Sequence, residues 1–351
     1  MRYLLGVALV VLVGCRPAVE QPADDTAATQ RATPGPAGSV YTTDEDGDSV
    51  TRVDLATGEA TRIDVPISPH NLQISEDGAL LLVTGPLADA HAHGDAHDEA
   101  AGRGGRLLVL DAESMELYAP VIEAGEHPAH VVLDSQNRLA YVTDSGSDSV
   151  RVIDLETARP IDSIATCAYP HGLRMSPDER ELYVACVDDD AVSVIDVATR
   201  QESARVPVGR APVQVGVTAD GQRVYVTLRD EDAVAVIDAT ARTVVQRIPV
   251  GRGPIQLFAT PDSRAVYVAN EGTPEQPEST VSVIDTAAGE VVATVTTGAG
   301  PHGVVVTDDG RYALITNAFA NTVSVIDTAE QRVVDAVAVG EGPTGITYRR
   351  E

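Results

Sequence analysis

The sequence predicts an all-β fold, a seven-bladed β-propeller in which each blade is a four-stranded antiparallel sheet. The first observation is that a short apolar strand ends in an aspartate seven times, at Asp54, Asp111, Asp154, Asp196, Asp238, Asp285 and Asp327. The second is the spacing of these aspartates, 57, 43, 42, 42, 47 and 42 residues, because a repeat of roughly 40–45 residues is typical of propeller blades. The third is that the two ends of the chain supply complementary parts of one blade.

Each repeat carries the signals for four strands, which we label A to D from the channel axis outward. In residues 208–238, an apolar segment is followed by Asp220-Gly221, a second apolar segment, a loop and a third segment that ends at Asp238. Asp-Gly between two alternating apolar runs predicts a hairpin. A further hairpin follows each repeated aspartate, whose side chain is expected to cap the turn.

The ends of the chain predict that the ring is closed by a shared blade. Residues 40–43, 50–55 and 60–65 supply strands B, C and D, whereas residues 345–348 supply only a strand A. Joined, they complete the seventh blade and remove the exposed edges of an open sheet. We therefore expect one propeller over residues 39–351.

Two repeats are longer than the others and predict insertions. The longer insertion, at about residues 85–105, contains three histidines. The other insertion, residues 271–278, has the composition of a turn and no group suited to chemistry.

The first 38 residues predict export and a tether. Residues 4–13 form an apolar run that is too short for a permanent membrane helix, so residues 1–15 are predicted to be a signal peptide. Leu12-Val13-Gly14-Cys15 resembles a bacterial lipobox, which implies lipidation of Cys15 and, with Arg16 next, an outer-membrane anchor facing the periplasm or the surface. The alternative is ordinary signal cleavage. Residues 16–38 are rich in Pro, Ala and Thr and predict a disordered tether.

The composition excludes several classes of function. Asp and Glu number 53 against 25 basic residues, for a net charge of −28. Such a field disfavours nucleic acid and anionic membrane surfaces and attracts cations. All basic residues are arginine, which excludes a Schiff-base lysine and a Walker-type phosphate loop.

Four segments resemble the Tyr-Val-Thr-Asn motif of YVTN-type propellers. They are Tyr141-Val142-Thr143-Asp144, Tyr183-Val184-Ala185-Cys186, Tyr225-Val226-Thr227-Leu228 and Tyr267-Val268-Ala269-Asn270. The resemblance covers nearly all of the expected mature chain and implies the propeller fold. Relatives of this kind are mostly extracytoplasmic binding or surface proteins, and similar propellers carry metal sites or lactonase activity.

The eight histidines occupy only two kinds of place. Five lie around the proline before strand A: His70, His127, His130, His171 and His302. The other three, His91, His93 and His97, lie in the longer insertion among Asp and Glu. Strand A lines the channel and strand B returns to the same face, so both groups are expected at one channel mouth. Half of the insertion, extended, reaches roughly 30 Å, far enough to cover that mouth.

This placement predicts a site for zinc or copper, because imidazole is the commonest protein ligand of both metals. The expected ligands are His70, His130, His171 and His302 in the channel, joined by His91, His93 and His97 from the insertion. His130 sits one residue later than the others, and a shift of one residue along a strand is expected to reverse its direction. The alternative is that the channel histidines only bond neighbouring loops and that the insertion is a solvated linker.

The stretch His93-Gly94-Asp95-Ala96-His97 resembles the loop of propellers that deliver zinc to a periplasmic importer. The resemblance implies a metal chaperone whose partners are the metal ion and a metal transporter or another envelope protein. Propeller domains of copper enzymes are also similar, but this chain has too few histidines for a multi-copper cluster.

Cys167 precedes strand A of the fourth blade, and Cys186 ends its strand B. An isolated pair in an oxidising compartment predicts a disulfide. The alternative is that both thiols and His171 bind copper. Asp188-Asp189-Asp190 lacks the spacing of a calcium loop, so we expect a solvated loop there.

The expected function is therefore that of a monomeric, lipid-anchored, extracytoplasmic metal-binding protein or chaperone. A non-catalytic interaction scaffold is the alternative, and a lactonase-like hydrolase a weaker one. Gly-x-Ser-x-Gly is absent, and the pair His171 and Cys186 has no third catalytic member. We thus expect no enzymatic activity.

Overall fold

The computed structural model describes residues 35–88 and 104–350. Within these ranges the chain forms 28 strands and a short 3₁₀ helix, Arg229–Glu231. No helix in this part of the chain is long and apolar enough to cross a membrane.

The strands fall into seven groups along the chain. The first four groups are β1 (Ser39–Asp44), β2 (Ser49–Asp54), β3 (Ala60–Asp64); β4 (Asn71–Ile74), β5 (Leu80–Pro86), β6 (Gly105–Asp111), β7 (Ile122–Gly125); β8 (Pro128–Leu133), β9 (Leu139–Asp144), β10 (Ser149–Asp154), β11 (Arg159–Ala165); and β12 (Pro170–Met175), β13 (Glu181–Cys186), β14 (Ala191–Asp196), β15 (Gln201–Pro207). The remaining groups are β16 (Pro212–Val217), β17 (Arg223–Leu228), β18 (Ala233–Asp238), β19 (Thr243–Pro249); β20 (Pro254–Ala259), β21 (Ala265–Thr273), β22 (Gln276–Asp285), β23 (Glu290–Thr296); β24 (Pro301–Val306), β25 (Tyr312–Asn317), β26 (Thr322–Asp327), β27 (Arg332–Ala338); and finally β28 (Pro343–Arg349).

These strands form seven four-stranded antiparallel sheets, which confirms the predicted propeller. Six sheets are consecutive along the chain, and the seventh has the order β28-β1-β2-β3. In that sheet Val40 pairs with Tyr348 and Tyr41 with Thr347, so the last strand completes the first blade. We number this blade 1 and the others 2 to 7 along the chain.

The repeated aspartates cap the C-to-D turns, as the sequence predicted. In blade 1, Oδ1 of Asp54 accepts a hydrogen bond from the backbone N–H of Thr57 at 2.7 Å. The same bond, to the N–H three residues on, is made by the other six, Asp111, Asp154, Asp196, Asp238, Asp285 and Asp327. These carboxylates have a structural role because they satisfy turn N–H groups.

The apolar core lies between the faces of neighbouring blades. One cluster joins Tyr183 and Val194 of blade 4 to Val215 and Val226 of blade 5, and each of these side chains is buried. Equivalent clusters join the other blades. Because burial of apolar surface is the main favourable term in folding, the packing between blades fixes how strands A are arranged around the channel.

The insertion at 271–278 is more regular than expected. Strands β21 and β22 continue through it, and Thr273 pairs with Gln276, so only Pro274 and Glu275 form the turn. The turn residues were recognised, but a lengthened hairpin satisfies more backbone groups than an irregular loop.

A β-bulge interrupts the pairing of strands A and B in six of the seven blades. In blade 4, Pro170 pairs with Cys186 but Leu173 pairs with Val184, so strand A carries one extra residue. A bulge breaks the two-residue alternation and re-aims side chains. As a result, the two residues that follow the proline of strand A can both reach the channel.

The first of these two residues, which we call the slot residue, is held by the preceding blade. The slot residues are His70, Ala129, His171, Val213, Ile255, His302 and Thr344. In four cases a threonine from the end of strand B donates to the slot carbonyl of the next blade: Thr43 to His70 at 3.1 Å, Thr143 to His171 at 2.6 Å, Thr227 to Ile255 at 2.7 Å and Thr316 to Thr344 at 3.0 Å. The threonine of the repeat motif therefore joins adjacent blades through the backbone.

We predict that Thr143→Val lowers the free energy of unfolding by about 1–3 kcal/mol, the cost of leaving buried polar groups without partners. The hydroxyl of Thr143 donates to the carbonyl of His171 and accepts the N–H of His130 at 3.0 Å. Urea-induced unfolding of the metal-free protein measures the change. The matched control is Thr243→Val on the exposed strand β19, for which we expect about 0.5 kcal/mol or less. Equal effects of the two substitutions would contradict the role of Thr143.

Candidate metal centre

Four histidines meet at one mouth of the channel, and we call His70, His130, His171 and His302 the channel-mouth cluster. They come from blades 2, 3, 4 and 7, each at or next to the start of strand A. His130 is fully buried, and His302 is 8% exposed. Residues that are far apart in the chain thus share one small volume.

Three members of the cluster are close enough to share an ion. One ring nitrogen from each of His70, His130 and His171 lies within 4.8 Å of the others. The ring centroids are 5.1 Å apart for His70 and His171, 5.4 Å for His70 and His130, and 4.8 Å for His130 and His171. The fourth member, His302, lies further away, with its centroid 6.3 Å from that of His70.

Two histidines of the cluster, His70 and His302, are oriented by a glutamate of the preceding blade that contacts their Nδ1. Nδ1 of His70 lies 3.0 Å from Oε2 of Glu45, and Nδ1 of His302 lies 2.8 Å from Oε1 of Glu271. A carboxylate that accepts from Nδ1–H leaves Nε2 available, the arrangement usual behind metal-bound histidines. Nε2 of His302 is buried and without a hydrogen-bond partner.

His171 is oriented by the backbone and by an aromatic ring. Its Nδ1 lies 3.2 Å from the carbonyl oxygen of Val213, to which it donates. Tyr169 stacks on its ring at 6.4 Å between centroids, with an angle of 8° between the planes. Because Nδ1 carries the proton of neutral His171, its Nε2 holds a lone pair, which faces Nε2 of His70 at 3.2 Å.

His130 joins the cluster although its position in the sequence argued against it. The prediction that a one-residue shift would turn it away was wrong, because the bulge between Pro128 and Val131 breaks the alternation. Its Nδ1 accepts a hydrogen bond from Nε2 of Gln214 at 3.3 Å, and its Nε2 is buried without a partner. A bulge in strand A cannot be read from the residue pattern alone.

Burial and nearby charge shift the pKa values of the cluster in opposite directions. Burial, reinforced by the neighbouring imidazoles, holds the pKa of both His130 and His171 well below the ordinary value. Burial also disfavours a charge on His70, but attraction to Glu45 and the hydrogen bond between them outweigh it and raise the pKa of His70. The same pairing lowers the pKa of Glu45 against the opposing effect of its burial. His70 is thus the member of this trio best able to hold a proton, and it can donate that proton to His171.

Sequence reasoning missed Glu45 and Glu271. Each follows the last residue of a B-strand motif, Asp44 in blade 1 and Asn270 in blade 6, and each contacts the slot histidine of the next blade. The signal was present as a glutamate at the same repeat position before each of two Pro-His pairs. It could be recognised only after the blades had been aligned and their direction around the ring was known.

The two cysteines of blade 4 are joined in a disulfide, with their Cα atoms 5.7 Å apart. Both are buried, and Cys186 pairs with Pro170 at the end of the sheet. Bonded sulfurs are not thiolate ligands, so the copper alternative with both thiols does not hold, and His171 is left as the candidate metal ligand of the blade. The disulfide closes the loop that carries Tyr169.

The acidic loop of blade 4 and the remaining predicted site residues lie apart from the channel-mouth cluster or outside the described residues. The acidic loop of blade 4 makes protein contacts: Asp189 pairs with Arg205 at 2.7 Å, and Asp190 accepts from the N–H of Ala211. His91, His93, His97 and Cys15 lie outside the described residues. The flanks of the histidine-rich insertion lie beside His70, since Ser68 N–H donates to the carbonyl of Pro86 at 2.9 Å.

The fold and the site together define a seven-bladed β-propeller with a histidine cluster at one channel mouth. Comparison with protein families places it further: the chain belongs to the YNCE-like β-propeller family, whose model matches residues 104–263 and 256–349. Comparison with curated proteins found no match.

Solved structures with the same fold include three distant proteins. Hydrazine synthase from Kuenenia stuttgartiensis is 20% identical, with a TM-score of 0.66, over 82% of this chain and 97% of that one. A periplasmic gluconolactonase from Pseudomonas aeruginosa is 20% identical, with a TM-score of 0.70, over 89% and 98%. A protein of unknown function from Desulfotomaculum acetoxidans is 14% identical, with a TM-score of 0.71, over 90% and 99%. At these identities the likeness shows the fold alone.

We predict that Glu45→Gln lowers the pKa of His70 in the metal-free protein from above its ordinary value to below it. The amide keeps a hydrogen-bonding group but removes the charge that favours the imidazolium, so burial then decides the shift. Histidine ring signals followed by NMR between pH 5 and 8 give the pKa, with Glu290→Gln on the outer strand β23 as the control. An unchanged His70 titration in Glu45→Gln would show that the glutamate does not set its charge.

Proposed function

We propose that this protein is an extracytoplasmic, non-catalytic propeller that binds a zinc or copper ion at the channel-mouth cluster and acts as a metal-binding protein or chaperone. The observation that carries the proposal is the convergence of one ring nitrogen from each of His70, His130 and His171 within 4.8 Å. No described carboxylate or cysteine belongs to this group of three. An all-imidazole set suits zinc and copper rather than calcium or magnesium.

The spacing of the nitrogens supports a single ion. Zn–N bonds of 2.0–2.1 Å in a tetrahedral site separate the ligand nitrogens by about 3.3–3.4 Å. Nε2 of His70 and Nε2 of His171 are 3.2 Å apart, close to that value. A proton on Nε2 of His70 would bridge these two nitrogens in the metal-free protein, and a metal ion would take its place. His130 needs a shift of roughly 1 Å to reach the same ion.

The surroundings of the cluster support the capture of a cation. Glu45 and Glu271 place two carboxylates behind the histidines, and the whole chain carries a net charge of −28. Both features favour a positive ion at the mouth. The flanks of the insertion that carries His91, His93 and His97 lie beside His70, so we propose these three histidines as additional ligands that bring the ion to the channel or cover it.

We predict that His171→Ala lowers zinc affinity more than about 100-fold, since loss of even an outer-shell partner of a metal ligand typically costs 10–100-fold. His70→Ala is expected to have a similar effect, and His302→Ala a smaller one. Calorimetric titration of untagged protein with zinc and with copper measures the affinities. The matched control is His127→Ala, because His127 lies at the same mouth but bonds Ser145 at 2.8 Å.

The triple variant His91→Ala, His93→Ala, His97→Ala tests the insertion separately, and we expect a loss of affinity smaller than that of His171→Ala. If neither His171→Ala nor the triple variant loses affinity, the proposed site is wrong. Absence of micromolar metal binding by the wild-type protein would favour the scaffold interpretation. Lactone hydrolysis that persists in the presence of a chelator would contradict the non-catalytic assignment.

We also propose that Cys15 carries a lipid that anchors the protein to the outer membrane. The proposal rests on the lipobox-like residues Leu12-Val13-Gly14-Cys15 followed by Arg16. We predict that Cys15→Ala moves the protein from the membrane fraction to the soluble envelope fraction, because removal of the acyl chains removes the buried CH₂ groups that hold it. Fractionation and mass spectrometry of the N-terminal peptide measure this. An unmodified Cys15 in membrane-associated wild-type protein would contradict the anchor.

A further inference from the structure

A second group of channel side chains has a chemistry opposite to that of the histidine cluster. Arg174 lies on β12, three residues beyond His171, and its guanidinium lies over the ring of Phe258 in blade 6, with 5.9 Å to the centroid. Its one hydrogen bond in residues 35–88 and 104–350 is from Nη1 to the carbonyl of its neighbour Leu173, at 3.1 Å.

Arg174 has no carboxylate partner in the part of the chain that the structure describes. Its side chain is half-buried, and burial lowers its pKa to about 10, so it remains charged at neutral pH. Many other arginines of residues 35–88 and 104–350 pair with a carboxylate, as Arg223 does with Asp238 at 2.6 Å. A half-buried cation without an opposite charge loses part of its hydration, and a bound anion would offset that loss.

A second donor without a partner lies on the strand that carries Phe258. Gln256 is 3% exposed, and its Nε2 is buried with no hydrogen-bond partner. Gln256 lies two residues before Phe258 on β20, inside the bulge that re-aims the side chains at the start of that strand. Gln256 also occupies the position equivalent to Gln214, whose Nε2 reaches His130 inside the channel. Gln256 thus lies two residues from the ring that Arg174 contacts, and both side chains offer N–H groups.

We propose that Arg174 and Gln256 form an anion site inside the channel that binds the carboxylate group of a small organic acid. The planar guanidinium can bind a carboxylate through two parallel hydrogen bonds, and the amide of Gln256 supplies a further donor. Phe258 holds the guanidinium plane from the other side by a cation–π contact. The site has no counterpart in the other blades, because the positions equivalent to Arg174 hold Gln73, Val132, Gly216, Phe258, Val305 and Thr347.

The position of this site couples it to the proposed metal site. Strands advance about 3.3 Å per residue, so Arg174 lies roughly 7–10 Å further along the channel than His171. A guanidinium at that distance repels a metal ion at the histidines, and a bound carboxylate would offset the repulsion. Binding of the metal and of the anion should then strengthen each other by the same factor. Only this coupling rests on the proposed metal function. The anion site itself does not depend on metal binding.

The experiment titrates citrate, and acetate as a single carboxylate, into the metal-free protein by calorimetry. We expect Arg174→Met to weaken citrate binding at least about ten-fold and Gln256→Leu to weaken it less, as for loss of a charged and of a neutral hydrogen bond. Arg174→Lys, which keeps the charge, should recover part of the affinity. The control is Arg264→Met, which should leave binding unchanged. Arg264 is exposed, lies in blade 6 and pairs with Asp262. Circular dichroism checks the fold of each variant.

The carboxylate could belong to a chelator that arrives with the metal or to a free organic acid. A second titration, with preformed zinc citrate, distinguishes these two sources. Tighter binding of zinc citrate than of either component supports a chelator that arrives with the metal. Equal citrate affinity with and without zinc supports a free organic acid and overturns the coupling to the metal site, but not the anion site itself. His171→Ala should lose zinc and keep citrate, so a failure of the metal proposal and a failure of the anion site give different results. No citrate or acetate binding by the wild-type protein, or full binding by Arg174→Met, would overturn the anion site.

Discussion

The antiparallel pairing of β28 with β1 is the constraint on which the channel depends. It closes the ring, and closure fixes the separation of strands A across the axis. His70 and His302 belong to blades 2 and 7, yet their rings come within 6.3 Å because blade 1, completed by β28, lies between them. Without that pairing the strands A of blades 2 and 7 would have no fixed separation, and His302 would no longer be held beside His70.

The candidate site is a property of the contacts between blades rather than of any one blade. Each glutamate that orients a slot histidine comes from the blade before it, as Glu45 does for His70 and Glu271 for His302. His171 is likewise oriented by a carbonyl of the next blade, that of Val213. The same contacts set the charge of the cluster, because Glu45 favours a proton on His70 while burial keeps His130 and His171 neutral.

The fold could be predicted almost completely from the sequence, because the repeated aspartates and hairpin turns report local structure. The site could be predicted only in part. The histidines were found by their shared repeat position, but the orientation of His130 depends on a bulge, and bulges arise from pairing between strands rather than from the residue pattern. The roles of Glu45 and Glu271 depend on contacts across blade boundaries, which a linear pattern does not contain. Arg174 was not distinguished from the surface arginines, since the sequence does not show which arginines have acidic partners.

The threonine hydrogen bonds between blades allow the slot side chains in the channel to change while the blades stay joined. Thr43, Thr143, Thr227 and Thr316 bind the main-chain carbonyl of the slot residue and make no demand on its side chain. Docking of the blades through these bonds is therefore independent of the slot side chain, and His, Ile and Thr all occur at the four slots bound in this way. Ligand preference can be rewritten by single substitutions without loss of architecture, so rings with the same scaffold are free to diverge in what their channels hold.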